Sequence, residues 1–277
     1  MSLILKEKII SNVEILSDIY ELKFLSEYIS DKAKPGQFIN VKCSDGIDPI
    51  LRRPLSICSI DEKNKSVIVT FRKKGRGTAY LAEKKSGDLL DLVGPLGNGF
   101  ENSKKYRNIA VVGGGIGIFP LLFLLQQKSA DSFCNITAYI GFETKSKIML
   151  ENEFAQCCNN LLLSTDDGSK GYKGFITDLL EYDLMQRKNE DEKYDIIYSC
   201  GPVPMMKKVA ETAMRQRIKC QVSLEQRMGC GIGACLSCVC KIKQNQNNDW
   251  IYKRVCKDGP VFWGEEVDFD DLCKYNV

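Results

Sequence analysis

The sequence predicts a multidomain β plus α/β protein: an N-terminal antiparallel β-barrel, a parallel α/β domain and a small C-terminal cysteine module. Three observations carry this. Short β-branched runs separated by turn residues fill the first hundred residues. From about residue 103 strands alternate with helices. From about residue 220 the chain becomes rich in Cys and Gly and ends in an acidic tail. The 277 residues exceed one domain at roughly 150 residues each, and divisions at 1–102, 103–219 and 220–277 follow the changes in rhythm.

The barrel strands are read from Ile15-Leu16, Tyr20 to Phe24, Phe38 to Lys42 and Val67 to Phe71. Lys34-Pro35-Gly36, Asp45-Gly46, Asp61 to Asn64 and Gly94-Pro95-Leu96-Gly97 supply the turns. Strands this short and this closely spaced suit a small antiparallel barrel. In the second region the expected strands are Asn108 to Val112, Asn135 to Ile140, Asn160 to Ser164 and Asp195 to Ser199. The expected helices are Phe119 to Gln127, Lys147 to Cys157, Ile176 to Met185 and Val203 to Met214, with Gln186 to Lys193 as a surface connection. Such alternation means a parallel sheet. The tail from Lys257 to Val277 carries six acidic and two basic residues.

Composition narrows the chemistry. The 44% hydrophobic and 27% charged residues suit a soluble globular chain, and a formal charge of +3 implies neither nucleic acid nor an anionic membrane. There is no histidine, which removes Ser-His-Asp and Cys-His catalysis, His-containing zinc sites and Rieske centres. Thirteen cysteines, an odd number with no secretory signal in MSLILKEKII, argue for a reducing cytoplasm and against a disulfide scaffold. The longest apolar run, Ile109 to Leu125, holds four glycines and a proline, so it reads as strand, loop and helix and not as a membrane span.

Cys230, Cys235 and Cys238 lie in GCGIGACLSC, and seventeen residues separate Cys238 from Cys256. This C-x4-C-x2-C…C pattern is the plant-type [2Fe–2S] spacing. Gly229, Gly231 and Gly233 permit a tight loop whose N–H groups can reach sulfur. A four-cysteine zinc site is the alternative, but it usually takes two C-x2-C knuckles and here there is one. Cys240 competes for a ligand role; a strand over Val239 to Ile242 would point it away. The remaining cysteines read mostly as small buried hydrophobes.

Val111 to Pro120 reads strand, glycine loop, helix. It approximates G-x-G-x-x-G with the third glycine one residue early, and either a phosphate site at the helix start or a plain βα turn fits. A ribose-binding acid is expected further on; Glu143 is one candidate, Asp166 and Asp167 a second, and a solvated loop Glu the plainer reading. Lys63 to Lys85 carries eight basic residues and one acidic. A nucleic-acid surface and a solvated hairpin are both possible, but Lys73 to Thr78 ahead of a helical stretch Ala79 to Lys84, with Thr78 as N-cap, fits a diphosphate better. Arg53-Pro54-Leu55-Ser56 offers a fixed cation and a hydroxyl beside a rigid proline.

Taken in order, RPLS, GRGT, GGGIGIFP, Cys200-Gly201-Pro202 ahead of Pro204-Met205-Met206, and the cysteine pattern resemble the ferredoxin–NADP reductase superfamily. GCGIGACLSCVCK and YKRVCKDGPVF look especially like the electron transfer subunits of class B dihydroorotate dehydrogenases. The resemblance spans nearly the whole chain. It implies a flavin-binding barrel in which Arg53, Pro54, Leu55 and Ser56, then Thr70, Phe71, Arg72, Gly77 and Thr78 hold FAD, Arg53 on the diphosphate and Ser56 near the flavin ring. It implies an NAD-binding α/β domain, with Gly113, Gly115 and Gly117 receiving NAD and Cys200 approaching the nicotinamide. It implies a [2Fe–2S] module held by Cys230, Cys235, Cys238 and Cys256. The implied partner is an FMN-containing dihydroorotate dehydrogenase catalytic subunit, in a heterotetramer of two of each, with neither nucleic acid nor membrane involved. A ferredoxin–NAD(P) oxidoreductase or sulfide dehydrogenase-type subunit is the alternative within the same chemistry. A zinc-bearing nucleic-acid module and a plain interaction subunit with a vestigial flavin site lie outside it.

Overall fold

A computed structural model describes residues 2–275 except 45, 47, 104, 132, 188, 190, 191 and 245–248. Asp45 of the expected Asp45-Gly46 turn and part of the expected connection Gln186 to Lys193 lie outside the described residues. The chain forms two compact units. The first comprises residues 1–99, 225–239 and 253–260; the second comprises 100–224, 240–252 and 261–277.

The first unit contains a closed barrel of six strands: β1 (Leu3–Leu16), β2 (Ile19–Leu25), β3 (Phe38–Val41), β4 (Arg53–Asp61), β5 (Ser66–Arg72) and β6 (Leu89–Leu96), in the order β1-β2-β5-β4-β3-β6. All of the pairings are antiparallel. Alternation sends Ile39, Val41, Leu55, Ile57, Val67 and Val69 into the interior, where they are buried. Two short helices, α1 (Glu27–Lys32) and α2 (Arg76–Glu83), complete this part of the chain. Ser26 caps α1, its hydroxyl accepting from the Ile29 N–H at 3.2 Å.

The second unit holds a seven-stranded sheet. Its strands are β7 (Asn108–Gly114), β8 (Asn135–Phe142), β9 (Asn160–Thr165), β10 (Tyr172–Lys173), β11 (Ile196–Cys200), β12 (Lys219–Ser223) and β15 (Val261–Trp263), in the order β10-β9-β8-β7-β11-β12-β15. Every pairing is parallel except β12 with β15. Helices α3 (Ile118–Ser129), α4 (Glu151–Cys157), α5 (Ile176–Gln186) and α6 (Val203–Arg215) are the crossovers, and α7 (Phe269–Tyr275) is the last helix among the described residues. The central strands are buried throughout, as a sheet covered on both faces requires. Between them in sequence, β13 (Val239–Lys243) and β14 (Trp250–Arg254) pair as a ribbon.

Three expectations need correction. The helix expected from Lys147 begins at Glu151: Lys145–Lys147 is a 3-10 turn, and Leu150 sits left-handed at φ 55°, which an α-helix cannot absorb. Thr78 is not an N-cap. The helix opens at Arg76 with Gly75 as cap, and Thr78 is its third residue. From there its hydroxyl accepts from the N–H groups of Lys74 and Gly75 at 3.0 and 3.2 Å, tying down the turn that precedes the helix. The first strand starts at Leu3, twelve residues ahead of the expected Ile15-Leu16.

Candidate flavin, nucleotide and iron–sulfur sites

In the barrel, register decides which side chains share a face. Phe38 pairs with Ser56, Ile39 with Leu55, Asn40 with Pro54 and Val41 with Arg53. Leu55 therefore faces the interior beside Ile39, and Ser56 and Pro54 face outward. At the end of β4 the Arg53 guanidinium donates to the carbonyl oxygens of Leu51 and Arg52 at 2.8 and 3.3 Å. It lies flat against α2, because a Cβ on Gly77 would stand 2.9 Å from its Nε and 3.0 Å from its Cζ. A permanent cation is thus laid on the first turn of a helix whose N-cap has no side chain to bond the free N–H groups, which is an arrangement that attracts a phosphate.

On β5, Thr70 alternates outward between buried Val69 and Phe71, and its Oγ1 is buried with no hydrogen-bond partner among the described residues. An unpartnered buried hydroxyl is costly in a finished protein surface, so it fits a position that a bound group completes. Phe71 is stacked on Tyr20, ring centroids 5.5 Å apart, and its ring is committed to the barrel. Arg72 is exposed. The residues present fit a flavin dinucleotide.

In the second unit β7 has β8 on one side and β11 on the other, so crossovers leave it in opposite directions. The carboxyl ends of β7 and β11 form the switch point where such sheets bind nucleotides. Gly113 and Gly114 end β7, Gly115 turns at φ 53°, and α3 starts at Ile118. A Cβ on Gly113 would meet Ile118 Cγ2 at 2.8 Å. One on Gly117 would meet the Cys200 carbonyl oxygen and the Gly201 Cα, both at 2.5 Å. The glycines are thus needed for helix and neighbouring strand to close on the loop, where Gly115 and Ile116 are half-buried and Gly117 and Ile118 buried. Cys200 is the last residue of β11, buried, and pairs with Gly113 and Ser223.

The four pattern cysteines all lie in the first unit. Among the described residues no three Cys, Asp or Glu side chains gather as for a single metal ion. Their sulfurs fall instead into two pairs. The Cys230 N–H donates to Cys235 Sγ at 3.4 Å, and the Cys235 N–H returns the bond to Cys230 Sγ at 3.4 Å. Cys230 Sγ also accepts from Ile232 and Ala234 at 3.5 and 3.3 Å. In the other pair the Cys256 N–H donates to Cys238 Sγ at 3.4 Å, and the two turns that carry them are joined by the Val255 N–H on the Cys238 carbonyl at 2.9 Å. Two thiols on each of two irons is the demand of a dinuclear cluster, and N–H groups aimed at sulfur stabilise thiolates. Against partial desolvation, the loop N–H groups and the Cys235 thiol bring Cys230 down to about 6. Burial and the neighbouring Cys238 thiol push Cys256 up to about 12. Gly231 and Gly233, at φ 71° and 86°, and Leu236 at 59° make the loop tight enough for this. Cys240 is buried on β13 and is grouped with the second unit.

Asn40 was not legible as a site residue. It is 1% exposed on β3, and its Nδ2 donates to the Cys230 carbonyl at 3.1 Å. Only a polar residue in an otherwise apolar Phe-Ile-Asn-Val strand could have marked it.

Residues 225–268 match the family described as the iron-sulfur cluster binding domain of dihydroorotate dehydrogenase B, and residues 111–211 match the oxidoreductase NAD-binding domain. A Geobacillus sp. (strain WCH70) protein named dihydroorotate dehydrogenase B (NAD(+)), electron transfer subunit, is 40% identical over 261 residues, 94% of this chain and 96% of that one. The Bacillus caldolyticus protein of the same name is 41% identical over 90% of this chain and 92% of its own. Among solved structures, one described as an NADH-dependent reduced ferredoxin-NADP oxidoreductase that performs flavin-based electron bifurcation superposes with a TM-score of 0.83 at 33% identity, covering 97% of this chain and 91% of that chain. A Neisseria gonorrhoeae ferredoxin NADP+ reductase shares the fold, with a TM-score of 0.65 at 19% identity over 76% of this chain and 91% of that one. The barrel, the switch-point glycines and the paired thiols accordingly sit in a chain that belongs to the family of dihydroorotate dehydrogenase B (NAD(+)) electron transfer subunits.

Proposed function

We propose that this chain carries electrons from the FMN of a dihydroorotate dehydrogenase catalytic subunit, by way of a [2Fe–2S] cluster and FAD, to NAD+ in pyrimidine (UMP) biosynthesis. The observation that carries the reading is the grouping of four thiols two by two with N–H groups on their sulfurs. When bound, the cluster exchanges single electrons, NAD+ takes a pair, and a flavin does both, so the protein's part is placement and tuning.

Cys230 with Cys235, and Cys238 with Cys256, are the four ligands. Arg53 and the first turn of α2, with Gly77 and Thr78, hold the FAD diphosphate. Pro54 and Ser56 and the unpartnered Thr70 hydroxyl line the flavin side, while Leu55, Phe71 and Arg72 give it shape from the strands they belong to. Gly113, Gly115 and Gly117 admit the NAD diphosphate to the start of α3, and Cys200 meets the nicotinamide. In functional terms residues 1–102 serve FAD, 103–219 NAD and 220–277 the cluster. The assembly is a heterotetramer of two of each subunit, in the cytoplasm. No helix among the described residues is long and apolar enough to cross a membrane.

Likeness to the ferredoxin-NADP oxidoreductase structure supports a second reading, in which the electrons come from or go to ferredoxin. Mixing the purified chain with the catalytic subunit separates the two. Dihydroorotate-driven NAD+ reduction supports the first; turnover only with reduced ferredoxin supports the second. Before that, iron, flavin and zinc analysis of anaerobically purified chain is expected to find a brown-yellow protein with iron and FAD, and zinc without iron would end both.

A further inference from the structure

A buried amide inside an apolar strand costs stability unless it has a partner worth having. Asn40 Nδ2 has one, the Cys230 carbonyl at 3.1 Å, while its Oδ1 is buried with no donor among the described residues. The loop crosses Asn40 so closely that a Cβ on Gly231 would stand 2.3 Å from Nδ2. A second clamp holds the same loop: Arg254 Nη1 donates to the Gly233 carbonyl at 3.2 Å. That guanidinium is itself fixed by two bonds to the Asp258 carboxylate at 2.9 and 3.0 Å. Asn40 pairs with Pro54 in register, and Phe38, two residues earlier, pairs with Ser56. The side chains of Asn40, Pro54 and Ser56 therefore share the outer face of the barrel.

We propose that Asn40 is a positioning residue that locks the Cys230–Cys235 ligand loop onto the flavin-bearing face of the barrel, and so fixes the cluster relative to FAD. It donates to the backbone and not to sulfur, so its action is on loop position. This rests on the reading of the four thiols and of Ser56 given above.

The test uses the full chain, cluster-free and reconstituted, with Asn40→Leu, Asn40→Gln and Gly231→Ala. In cluster-free chain, hydrogen exchange of the amides of residues 230–235 is expected to speed up roughly five- to tenfold in Asn40→Leu, the worth of one buried hydrogen bond. Asn40→Gln, which keeps an amide donor, should recover part of that protection. Gly231→Ala pushes on the same contact from the loop side and should loosen it in the same direction, which keeps the test alive if Asn40→Leu folds poorly. In reconstituted chain the Asn40→Leu cluster should show altered EPR g values and release iron to a chelator faster. Native exchange together with native g values in Asn40→Leu would overturn the proposal while leaving the cluster reading intact. A native chain that takes up no iron would overturn both, so the two failures are told apart by iron content.

Discussion

Arg53 carries its charge to a place defined by what Gly77 lacks. With nothing beyond Cα at residue 77, the guanidinium lies within van der Waals reach of the first turn of α2 while still bonding the Leu51 and Arg52 carbonyls. A charge-assisted contact to a phosphate is worth about 1.5–3 kcal/mol, so Arg53→Ala is expected to weaken FAD retention roughly ten- to hundredfold, read by equilibrium dialysis of the flavin. Gly77→Val should do the same without removing the charge, by displacing the guanidinium. Unchanged FAD affinity in both would move the diphosphate elsewhere. In the second unit Gly117→Ala places a methyl group 2.5 Å from the Cys200 carbonyl oxygen. The expected cost is about 1–3 kcal/mol of stability, visible as a lower denaturant midpoint, together with weaker NADH binding. The glycine loop was legible because sequence marks it. Arg53 with Gly77 was legible only as two separate motifs, since nothing in the order of residues says that positions 53 and 77 touch.

Elements were readable where the pattern is local. The strands β7, β8, β9 and β11 stood where apolar runs between turns put them; β7, β8 and β11 are almost wholly buried, as in a parallel sheet covered on both faces, while β9 is only half-buried along most of its length. Strands β4 and β6 were hidden by Pro54 and Pro95, residues that read as turn or surface. Barrel closure tolerates Pro54 at the start of β4. Tertiary pairing of β12 with β11 likewise extends the sheet past the expected boundary at residue 219. The ends of β8 and β9 carry a prediction of their own. Glu143 follows β8, Asp166 follows β9, and their backbones are laced by Asp166 N–H to Phe142 at 3.0 Å and Asp167 N–H to Glu143 at 3.3 Å. Partial burial, then Glu143 and Asp167 beside it, push the Asp166 carboxyl above its usual range. Glu143 is also ion-paired with Lys147, so a ribose 2′-phosphate brought there would compete with a carboxylate for that cation beside Asp166 and Asp167, whereas a 2′-hydroxyl can donate to the carboxylates. Glu143→Gln is expected to narrow the preference for NADH over NADPH about fivefold, one charge at several ångströms in a wet site. The ratio of kcat/KM for flavin reduction by the two coenzymes measures it, and an unmoved ratio would separate this corner from the ribose.

At the scale of the whole molecule, the absence of histidine and the clustering of four of the thirteen cysteines fit one chemistry. Electron passage asks for ligands, cradles and spacing, and it asks for no side-chain base poised near neutral pH. The four proposed ligands come from two stretches of chain, 230–238 and 256, that the fold assigns to the barrel's unit although seventeen residues part them. One ligand should therefore be separable from the rest of the machinery. Cys235 is exposed and makes the reciprocal bonds with Cys230, so Cys235→Ser breaks one thiol pair without opening the barrel core. The FAD and NAD sites proposed above draw on none of these residues. NADH is accordingly expected to reduce bound FAD in Cys235→Ser at a rate within about twofold of native, while dihydroorotate-driven NAD+ reduction with the catalytic subunit falls to background. The first half is read at the flavin absorption band in a stopped-flow mixer, the second as NADH formed in the reconstituted complex. Coupled turnover surviving in a Cys235→Ser chain shown to lack iron would mean that electrons reach the flavin by a route these thiols do not serve.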